Sequence, residues 1–284
     1  MQHSFTVTTG SALSTDSENA YHLSIQSDLN GLCFCVLDLD RRQYVALQAL
    51  SFHPAVVDYN DLQRALERAL RSEPLLNLRF RSVSCMYTSR SVTLMPAVLV
   101  DKPLLKSFLE FNAPLHELDE VHTCPLPLYG AEVVFAVPSP LAAKLAGKYP
   151  KVKFYHQCVP MLQLLPAQVK HEKHSELLAV NINHGFADVA LYARGGLKMY
   201  NTFELQAPAD LVYYLLAVAH QHKVSEKKTE VLLSGSIGAY VGEVAAFFPT
   251  LAQAKPHPQL PLARELRAVV DHRFTHLFSL YECA

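Results

Sequence analysis

The sequence predicts an α/β protein built from two similar halves, and three observations lead to this prediction. The chain has 284 residues, a length that suits two domains of ordinary size better than a single core. Half of the residues are hydrophobic and 18% are charged, which is typical of a globular chain. An order of three strands followed by a helix occurs once in each half. Together these features predict a duplicated architecture with space for a ligand between the halves.

The first copy of this order consists of apolar segments separated by short polar turns. The pair Asn30-Gly31 tolerates the positive φ of a tight hairpin. A helix is predicted over 59–71, because apolar residues recur there at helical spacing and Asp58 precedes them as a cap. The three strands before this helix are predicted at 22–26, 32–39 and 43–52.

The second copy follows the same order. Its helix is predicted to begin near Pro208, since proline is favoured in the first turn of a helix. This helix is apolar nearly all round, which predicts that it is buried. A strand, a small-residue turn and another helix are predicted over 229–248. The three strands before Pro208 are predicted at 177–182, 186–193 and 197–205.

The remaining segments define the predicted domain organisation. A polar stretch at 170–176 separates a first domain, 20–168, from a second domain, 169–284. Predicted strands and a short helix between the two copies form a subdomain of about 80–126, inserted in the first domain. Residues 1–19 are rich in Ser and Thr, lack the features of a signal peptide and are expected to be a flexible tail.

Composition argues against several classes of function. The net charge is −1 and no dense Lys/Arg run occurs, so a nucleic-acid-binding role is not expected. The longest apolar runs are too short to span a bilayer. Six scattered cysteines form no CxxC pair, which argues against a zinc ribbon or a redox motif and predicts buried thiols in a reducing cytoplasm.

The fourteen histidines give no convincing metal site. None of them forms HExxH or another supported ligand set, so solvated or capping roles are favoured. His156 lies in the apolar segment "KFYHQ" and is interpreted as a satisfied core histidine. The pairs considered as ligands are His272 with His276, and His171 with His174 beside Glu172.

Two glycine-containing turns are candidates for ligand contacts. In "AVNINHGFADVALY" (179–192), bare backbone at Gly185 could approach an anion, and Asp188 could hold a metal ion. A simple turn with a hydrogen-bonded carboxylate explains these two residues better on residue chemistry alone. "LLSGSIGAY" contains Gly235 and Gly238 before a helix, but it matches neither GxGxxG, the P-loop nor GxSxG.

The sequence also resembles a known family, and this resemblance supports the predicted duplicated architecture. The repeated plan, with "VNINHGFADVAL" and "VLLSGSIGAYVGEVAAF" in the second half, resembles the actin-like ATPase (ribonuclease H-like) fold of pilus-assembly and cell-division actin homologues. The segments "YTSRSVTLMPAVLV", "VVFAVPSPL", "FYHQ" and "HRFTHLFSLYEC" resemble an uncharacterised Bacteroidetes family of unknown function with this fold. The resemblance covers nearly the whole chain after residue 20. It implies two duplicated βββαβα-type domains, with an inserted subdomain in the first.

The resemblance also shows where the nucleotide motifs depart from the family pattern. Active members of the superfamily carry Asp-x-Gly-Gly-Gly-Thr-x-Asp in the second-half hairpin. Only two positions of that motif are retained here, Gly185 and Asp188, whereas the others have become Asn181, Asn183, His184 and Phe186. The first-half hairpin offers Asp28 without the expected aspartate–glycine arrangement. The adenosine-side motif, Gly235-Ser236, is the best preserved of the three.

These departures predict that phosphate turnover has been lost. Side chains at 183 and 184 occupy space that phosphate oxygens need, and the neutral Asn181 cannot anchor magnesium. No catalytic residue and no resident cofactor are therefore expected, and an enzymatic activity is not expected. Weak purine binding near Gly235 is compatible with the sequence.

Three hypotheses follow from the sequence. The leading one is a non-catalytic cytoplasmic protein that binds or scaffolds an unidentified protein partner, with its oligomeric state open. The second is an ATP-binding protein or weak ATPase that uses Asp28, Asp188 and Gly235. The third is a small-molecule-binding protein whose interlobe cleft is read by His184, Asn183 and Gln26.

Overall fold

Two mixed β-sheets form the centres of the two halves. A computed structural model describes residues 5–8, 20–168, 176–256 and 260–283. The first sheet contains β1 (Phe5–Thr8), β2 (Tyr21–Ser27), β3 (Gly31–Asp38), β4 (Gln43–Ser51), β5 (Ser82–Tyr87) and β9 (Lys153–His156), in the order β1-β4-β3-β2-β5-β9. The second contains β10 (Leu177–Ile182), β11 (Phe186–Ala193), β12 (Gly196–Glu204), β13 (Glu230–Gly235) and β14 (Leu251–Gln253), in the order β12-β11-β10-β13-β14.

The two sheets share one topology. In each, three strands joined by short turns pair antiparallel, a fourth strand pairs parallel with the first of these, and a fifth pairs parallel with the fourth. Short turns permit only antiparallel neighbours, whereas the parallel strands are reached through longer connections. The predicted duplication of three strands and a helix is therefore confirmed.

The helices α1 (Tyr59–Ser72), α3 (Ser139–Lys148) and α4 (Cys158–Gln168) belong to the first half. α1 and α3 pack together on one face of its sheet, whereas α4 contacts the C-terminal segment and the β10–β11 hairpin. Asp58 caps α1 as predicted, because its Oδ1 accepts a hydrogen bond from the backbone N–H of Asp61 at 2.8 Å. The predicted apolar stripe of this helix is buried and consists of Leu62, Ala65, Leu66, Ala69 and Leu70. Side chains of α1 and α3 share one hydrophobic core with the sheet.

A third, antiparallel sheet forms the inserted subdomain. It contains β6 (Val92–Pro96), β7 (Asp119–Leu126) and β8 (Ala131–Pro138) in the order β6-β8-β7, with α2 (Leu105–Asn112) packed on one face. This sheet and α2 lie within 92–138, whereas β5, which lies in the predicted insertion of about 80–126, pairs with β2 of the first sheet. Apolar alternation predicts a strand but not the sheet that it joins.

The helices of the second half are α5 (Pro208–His222) and α6 (Val241–Ala245). The prediction that α5 is buried all round is wrong. Leu211 and Leu215 face the core, whereas Tyr213 is 68% exposed. The helix lies on the outer face of a sheet, where one side meets solvent.

The C-terminal segment returns to the first half. Residues 260–283, which include α7 (Thr275–Ser279), pack against the face of the first sheet opposite α1. Tyr44 is buried there against Phe278 and donates its hydroxyl hydrogen to the carbonyl oxygen of that residue. The sequence had placed this segment with the second domain, since chain order alone does not show which sheet a short apolar segment covers.

Two other predicted boundaries are affected by the described range. Residues 5–8, predicted as part of a flexible tail over 1–19, pair with β4 as an edge strand. The remaining tail residues lie outside the described residues, as does the predicted boundary stretch 170–176 except for Glu176. Among the helices of the described ranges, none has the length and apolar character needed to cross a membrane.

Candidate functional site

A cleft of about 680 Å³ lies between the two halves. Its floor is formed where β2 and β5 of the first half, and β10 and β13 of the second half, reach their carboxyl ends. Ligands of open α/β sheets commonly bind outside the carboxyl ends of parallel strands, and a cleft of this volume can hold a small molecule. The topology therefore makes this cleft the candidate site.

Most of the residues that the sequence singled out meet in this cleft. Seven of the eight candidates line it, namely Asp28, Asn181, Asn183, His184, Gly185, Gly235 and Ser236. Gln26, proposed as a reader of a small molecule, lines it as well. The eighth candidate, Asp188, does not line the cleft and is fully buried.

The geometry of the second sheet explains why polar side chains converge on Asp188. Asp188 pairs directly with Asn181 across the β10–β11 hairpin. Asn183 lies two residues beyond Asn181, so both side chains project from the same face of the sheet. Tyr200 on β12 lies diagonally opposite and shares this face. Farther along β10, the same face carries Leu177 and Ala179, which belong to the core of the first half.

Four neutral donors occupy the carboxylate of Asp188. Oδ1 accepts from the Tyr200 hydroxyl at 2.7 Å and from Gln157 Nε2 at 3.3 Å. Oδ2 accepts from Asn183 Nδ2 at 2.9 Å and from Asn181 Nδ2 at 3.2 Å. A carboxylate has about four lone-pair sites. The protein itself therefore satisfies the whole acceptor capacity of Asp188.

Burial and these four hydrogen bonds determine the pKa of Asp188 and its capacity to bind a metal ion. Burial raises the pKa of Asp188 to about 6, against the opposing effect of the hydrogen bonds from Tyr200, Asn181, Asn183 and Gln157. No oxygen of the carboxylate remains for a metal ion or its waters, so the group does not fit magnesium coordination. Within the described ranges, no group of three or more His, Cys, Asp or Glu side chains could hold a metal ion.

Gln157 links the two halves at the base of the cleft. It precedes α4 in the first half and donates to Asp188 in the second. Its amide also binds the backbone of Ser89, with distances of 2.6 Å to the carbonyl oxygen and 3.1 Å from the N–H. Arg90 of the first half and Glu204 of the second also form an exposed ion pair at 2.6 Å. Exposed pairs contribute at most about 1 kcal/mol.

Asp28 plays a local role in its turn. Its Oδ1 accepts hydrogen bonds from the backbone N–H groups of Asn30 and Gly31, at 2.7 and 2.9 Å. Burial raises the pKa of Asp28, although these hydrogen bonds oppose the shift. Aspartates commonly stabilise turns in this way. Asp28 thus lines the cleft while one of its oxygens is committed to the backbone.

Glycine is required at positions 185 and 235 of the cleft for different structural reasons. Gly235 has a φ of +79°, and a Cβ at this position would lie 2.1 Å from the carbonyl oxygen of Ile182. Gly185 has a φ of +78°, but a Cβ there would meet no atom within 4 Å. Gly235 is therefore required by the close approach of β13 to β10, whereas Gly185 is required only by its turn.

The histidine assignments divide into three groups. His156 is fully buried and donates from Nε2 to the carbonyl oxygen of Ser89 at 3.0 Å, which confirms the prediction of a satisfied core histidine. His272 donates from Nδ1 to the carbonyl oxygen of Gly235 at 2.9 Å, whereas His276 lines the cleft, where burial lowers its pKa to about 4. His171, His174 and Glu172 lie outside the described residues. All six cysteines are free.

The sequence did not identify Thr88, Gln157 or Arg273 as cleft residues. Thr88 and Gln157 directly follow β5 and β9, two parallel strands of the first sheet. A search at the carboxyl ends of these strands would have found both, but it requires the strand order. Arg273 reaches the cleft from the C-terminal segment, which no local pattern indicates.

The strand order, the duplicated sheets and the interlobe cleft define a protein with the actin-like ATPase fold. The chain belongs to the family described as "Protein of unknown function (DUF3822)", whose family model matches residues 10–245. No curated protein matches the chain.

Two solved structures confirm the fold. A Bacteroides thetaiotaomicron protein with actin-like ATPase fold and unknown function is 20% identical, with a TM-score of 0.74 over 85% of this chain and 93% of that chain. A chain of the PilM–PilN type IV pilus biogenesis complex is 12% identical, with a TM-score of 0.66 over 91% of this chain and 97% of that chain. Both bear out the predicted resemblance at the level of the fold.

Proposed function

We propose that this protein is a non-catalytic actin-fold module that acts by binding a protein partner. The observation that carries the proposal is the closed hydrogen-bond set around Asp188, in which Gln157 and two asparagines take the place that a metal ion and its waters would need. Phosphoryl transfer depends on the electrostatic positioning of metal and phosphate. With that apparatus absent from the described cleft, the fold serves for its shape and surfaces.

The inserted subdomain supplies the surface that supports partner binding. Phe108 and Phe111 of α2 form an exposed stripe with Leu104, which directly precedes the helix, whereas Leu105 and Leu109 on another side of the helix are buried. Exposed apolar clusters commonly mark protein–protein interfaces. Most of the exposed large hydrophobic residues of the described chain belong to this subdomain, namely Val98, Leu99, Leu104, Phe108, Phe111, Leu118 and Leu128.

Two further observations support the proposal. A chain of this fold forms part of the PilM–PilN complex, so the fold is compatible with a scaffolding role. The six free cysteines support a cytoplasmic location for such an assembly. The alternative of an unorthodox ATPase that uses Asp28, Asp188 and Gly235 has less support, because each of these residues is committed to a contact within the protein.

A titration with ATP tests the loss of the nucleotide site. Wild-type protein is expected to show the same melting temperature with 1 mM ATP in the presence and absence of magnesium, and no hydrolysis. The measurement is sensitive, because a ligand present at a concentration 100 times its Kd would raise the free energy of unfolding by about 2.7 kcal/mol. A magnesium-dependent increase in melting temperature, with release of phosphate, would contradict the proposal and favour the ATPase alternative.

A surface substitution tests the partner-binding face. Phe111 is 91% exposed, so Phe111→Ser is expected to change the free energy of unfolding by less than about 0.5 kcal/mol. The amount of each protein that co-purifies with the chain is expected to be at least about tenfold lower for Phe111→Ser than for the wild type, as for an interface hot spot. Tyr213→Ser, on the exposed face of α5, is the matched control and should retain them. Equal recovery with all three proteins would show that this face is not the interface.

A further inference from the structure

A second cavity, of about 260 Å³, lies in the first half at the end of its sheet opposite the cleft. Ser82, the first residue of β5, lines this cavity, whereas Thr88, directly after the same strand, lines the cleft. Because a strand rises about 3.3 Å per residue, the two sites are roughly 20 Å apart. We call it the basic cavity, and its lining residues are Leu37, Leu39, Arg42, Arg81, Ser82, Leu260 and Tyr281.

Two arginines from separate parts of the chain meet at the basic cavity. Arg42 lies in the turn between β3 and β4, and Arg81 directly precedes β5. In the sheet, β2 lies between β3 and β5, and the backbone N–H of Arg81 donates to the carbonyl oxygen of Tyr21 on β2 at 2.9 Å. The strand order, and no sequence motif, therefore brings the two arginines together.

The charges of these two arginines are not neutralised within the described part of the chain. Neither side chain forms an ion pair or a hydrogen bond there, and no acidic residue lines the cavity. The neighbouring Arg41 instead pairs with Asp38, at 3.7 Å. Like charges that face one cavity repel each other, and an anion bound between them would relieve this repulsion.

The backbone does not account for an arginine at position 42. Its φ of +49° is in the left-handed region, which favours glycine or asparagine. The side chain also makes no contact that would stabilise the turn, since it has no polar partner among the described residues. The charge that Arg42 brings to the cavity is therefore the better explanation of this residue type.

The geometry of two guanidinium groups favours a phosphate group over a single carboxylate. One guanidinium engages both oxygens of a carboxylate, whereas a phosphate has further oxygens for the second guanidinium. Tyr281 adds a hydroxyl group that makes no hydrogen bond with the described residues and can donate to an anionic oxygen. The Ser82 hydroxyl also lines the cavity, where its Oγ lies 2.7 Å from Nδ1 of His22.

We infer that the basic cavity binds the phosphate group of a small molecule, either inorganic phosphate or a phosphomonoester, between the guanidinium groups of Arg42 and Arg81. The Tyr281 hydroxyl donates a further hydrogen bond to the same group. The volume of the cavity, below the usual range for drug-sized ligands, suits a small ligand. This inference goes beyond the proposed function, because it involves neither the cleft nor the inserted subdomain.

Calorimetry on the full chain at constant ionic strength tests this inference. The probes are inorganic phosphate, glycerol 3-phosphate as a phosphomonoester, and succinate as a dicarboxylate. At least one phosphate compound is expected to bind saturably, with one molecule per chain. The tighter of the two shows whether the site takes free phosphate or an ester. Succinate is expected to bind at least about tenfold more weakly than that compound, a difference of 1.4 kcal/mol.

Matched variants separate this site from general charge effects. Arg42→Gln and Arg81→Gln are each expected to weaken phosphate binding at least about tenfold, because a hydrogen-bonded charge pair is lost. Both side chains are exposed, so the melting temperature without ligand should not change. Arg41→Gln removes the same charge one residue away but does not line the cavity, so it is expected to bind like the wild type.

Three results would overturn the inference. They are the absence of binding by both phosphate compounds at millimolar concentration, tighter binding of succinate than of either, and equal weakening by Arg41→Gln and Arg42→Gln. Failure of the proposed function is distinguishable, because a magnesium-dependent ATP shift in the cleft would persist when Arg42→Gln and Arg81→Gln are combined.

Discussion

Gly235→Ala is expected to lower the free energy of unfolding by about 3 kcal/mol or more, because two penalties add. A left-handed conformation costs a residue with a Cβ about 1–2 kcal/mol, and the φ of +79° at this position is in that region. The new Cβ would also lie 2.1 Å from the carbonyl oxygen of Ile182, a backbone atom that cannot rotate away. Relief of this contact requires β13 to move away from β10. Urea denaturation measures the loss.

Gly185→Ala is the matched control for this prediction. Its φ of +78° is almost the same, but a Cβ there meets no atom within 4 Å. Only the conformational penalty remains, so the expected loss is about 1 kcal/mol. If the two variants were equally destabilised, the close approach of the two strands would not be the reason for the glycine at 235.

Asp188→Ala is expected to lower the free energy of unfolding by at least about 3 kcal/mol at pH 5, because it leaves several buried donors without an acceptor. Tyr200, Asn181, Asn183 and Gln157 would all lose a hydrogen bond. Glu204→Gln, which removes only the exposed pair with Arg90, is the control and should cost less than about 1 kcal/mol. A loss at Asp188 as small as that of the control would show that the network contributes little to stability.

The pH dependence of this contribution has a definite sign. Burial raises the pKa of Asp188 to about 6, above the 3.8 of an unperturbed aspartate, so the folded protein binds this proton more tightly than the unfolded chain. The stabilising contribution is therefore full below about pH 4 and is lost as the pH rises through about 6. Relative to Asp188→Asn, which does not titrate, wild type is expected to lose about 3 kcal/mol between pH 4 and 7. An unchanged difference between the two proteins across this range would contradict the pKa assignment.

The hydrogen-bond set around Asp188 also joins the two halves of the fold, because Gln157 of the first half donates to Asp188 of the second. Asn181 and Asn183, which depart from the superfamily motif, are the same side chains that donate hydrogen bonds to Asp188. Under the proposed loss of the nucleotide site, that loss and the gain of the internal hydrogen-bond set are one structural change.

Part of the candidate site could be predicted from the sequence, because the residues of a β-hairpin are close together in the chain. The turn at 183–185 and the pairing of Asn181 with Asp188 follow from two adjacent strands and a short connection. The donation by Gln157 and Tyr200 was not predictable, since these two residues approach Asp188 from outside this hairpin. The sequence interpreted Asp188 as a metal ligand or, preferably, as a carboxylate that accepts a backbone hydrogen bond, whereas its four hydrogen bonds come from side chains.

The amino-acid sequence by itself determined the local elements and their repetition. Apolar periodicity, turn glycines and the Asp58 cap specify these elements through neighbours a few residues apart, and nearly all of the predicted strands and helices of the two halves are present in the structure. The tertiary structure alone decided that residues 260–283 cover the first sheet, that β8 joins the inserted sheet and that Asp188 is enclosed beneath the cleft. The physical reason is that these features depend on contacts between residues far apart in the chain, which a local pattern does not encode.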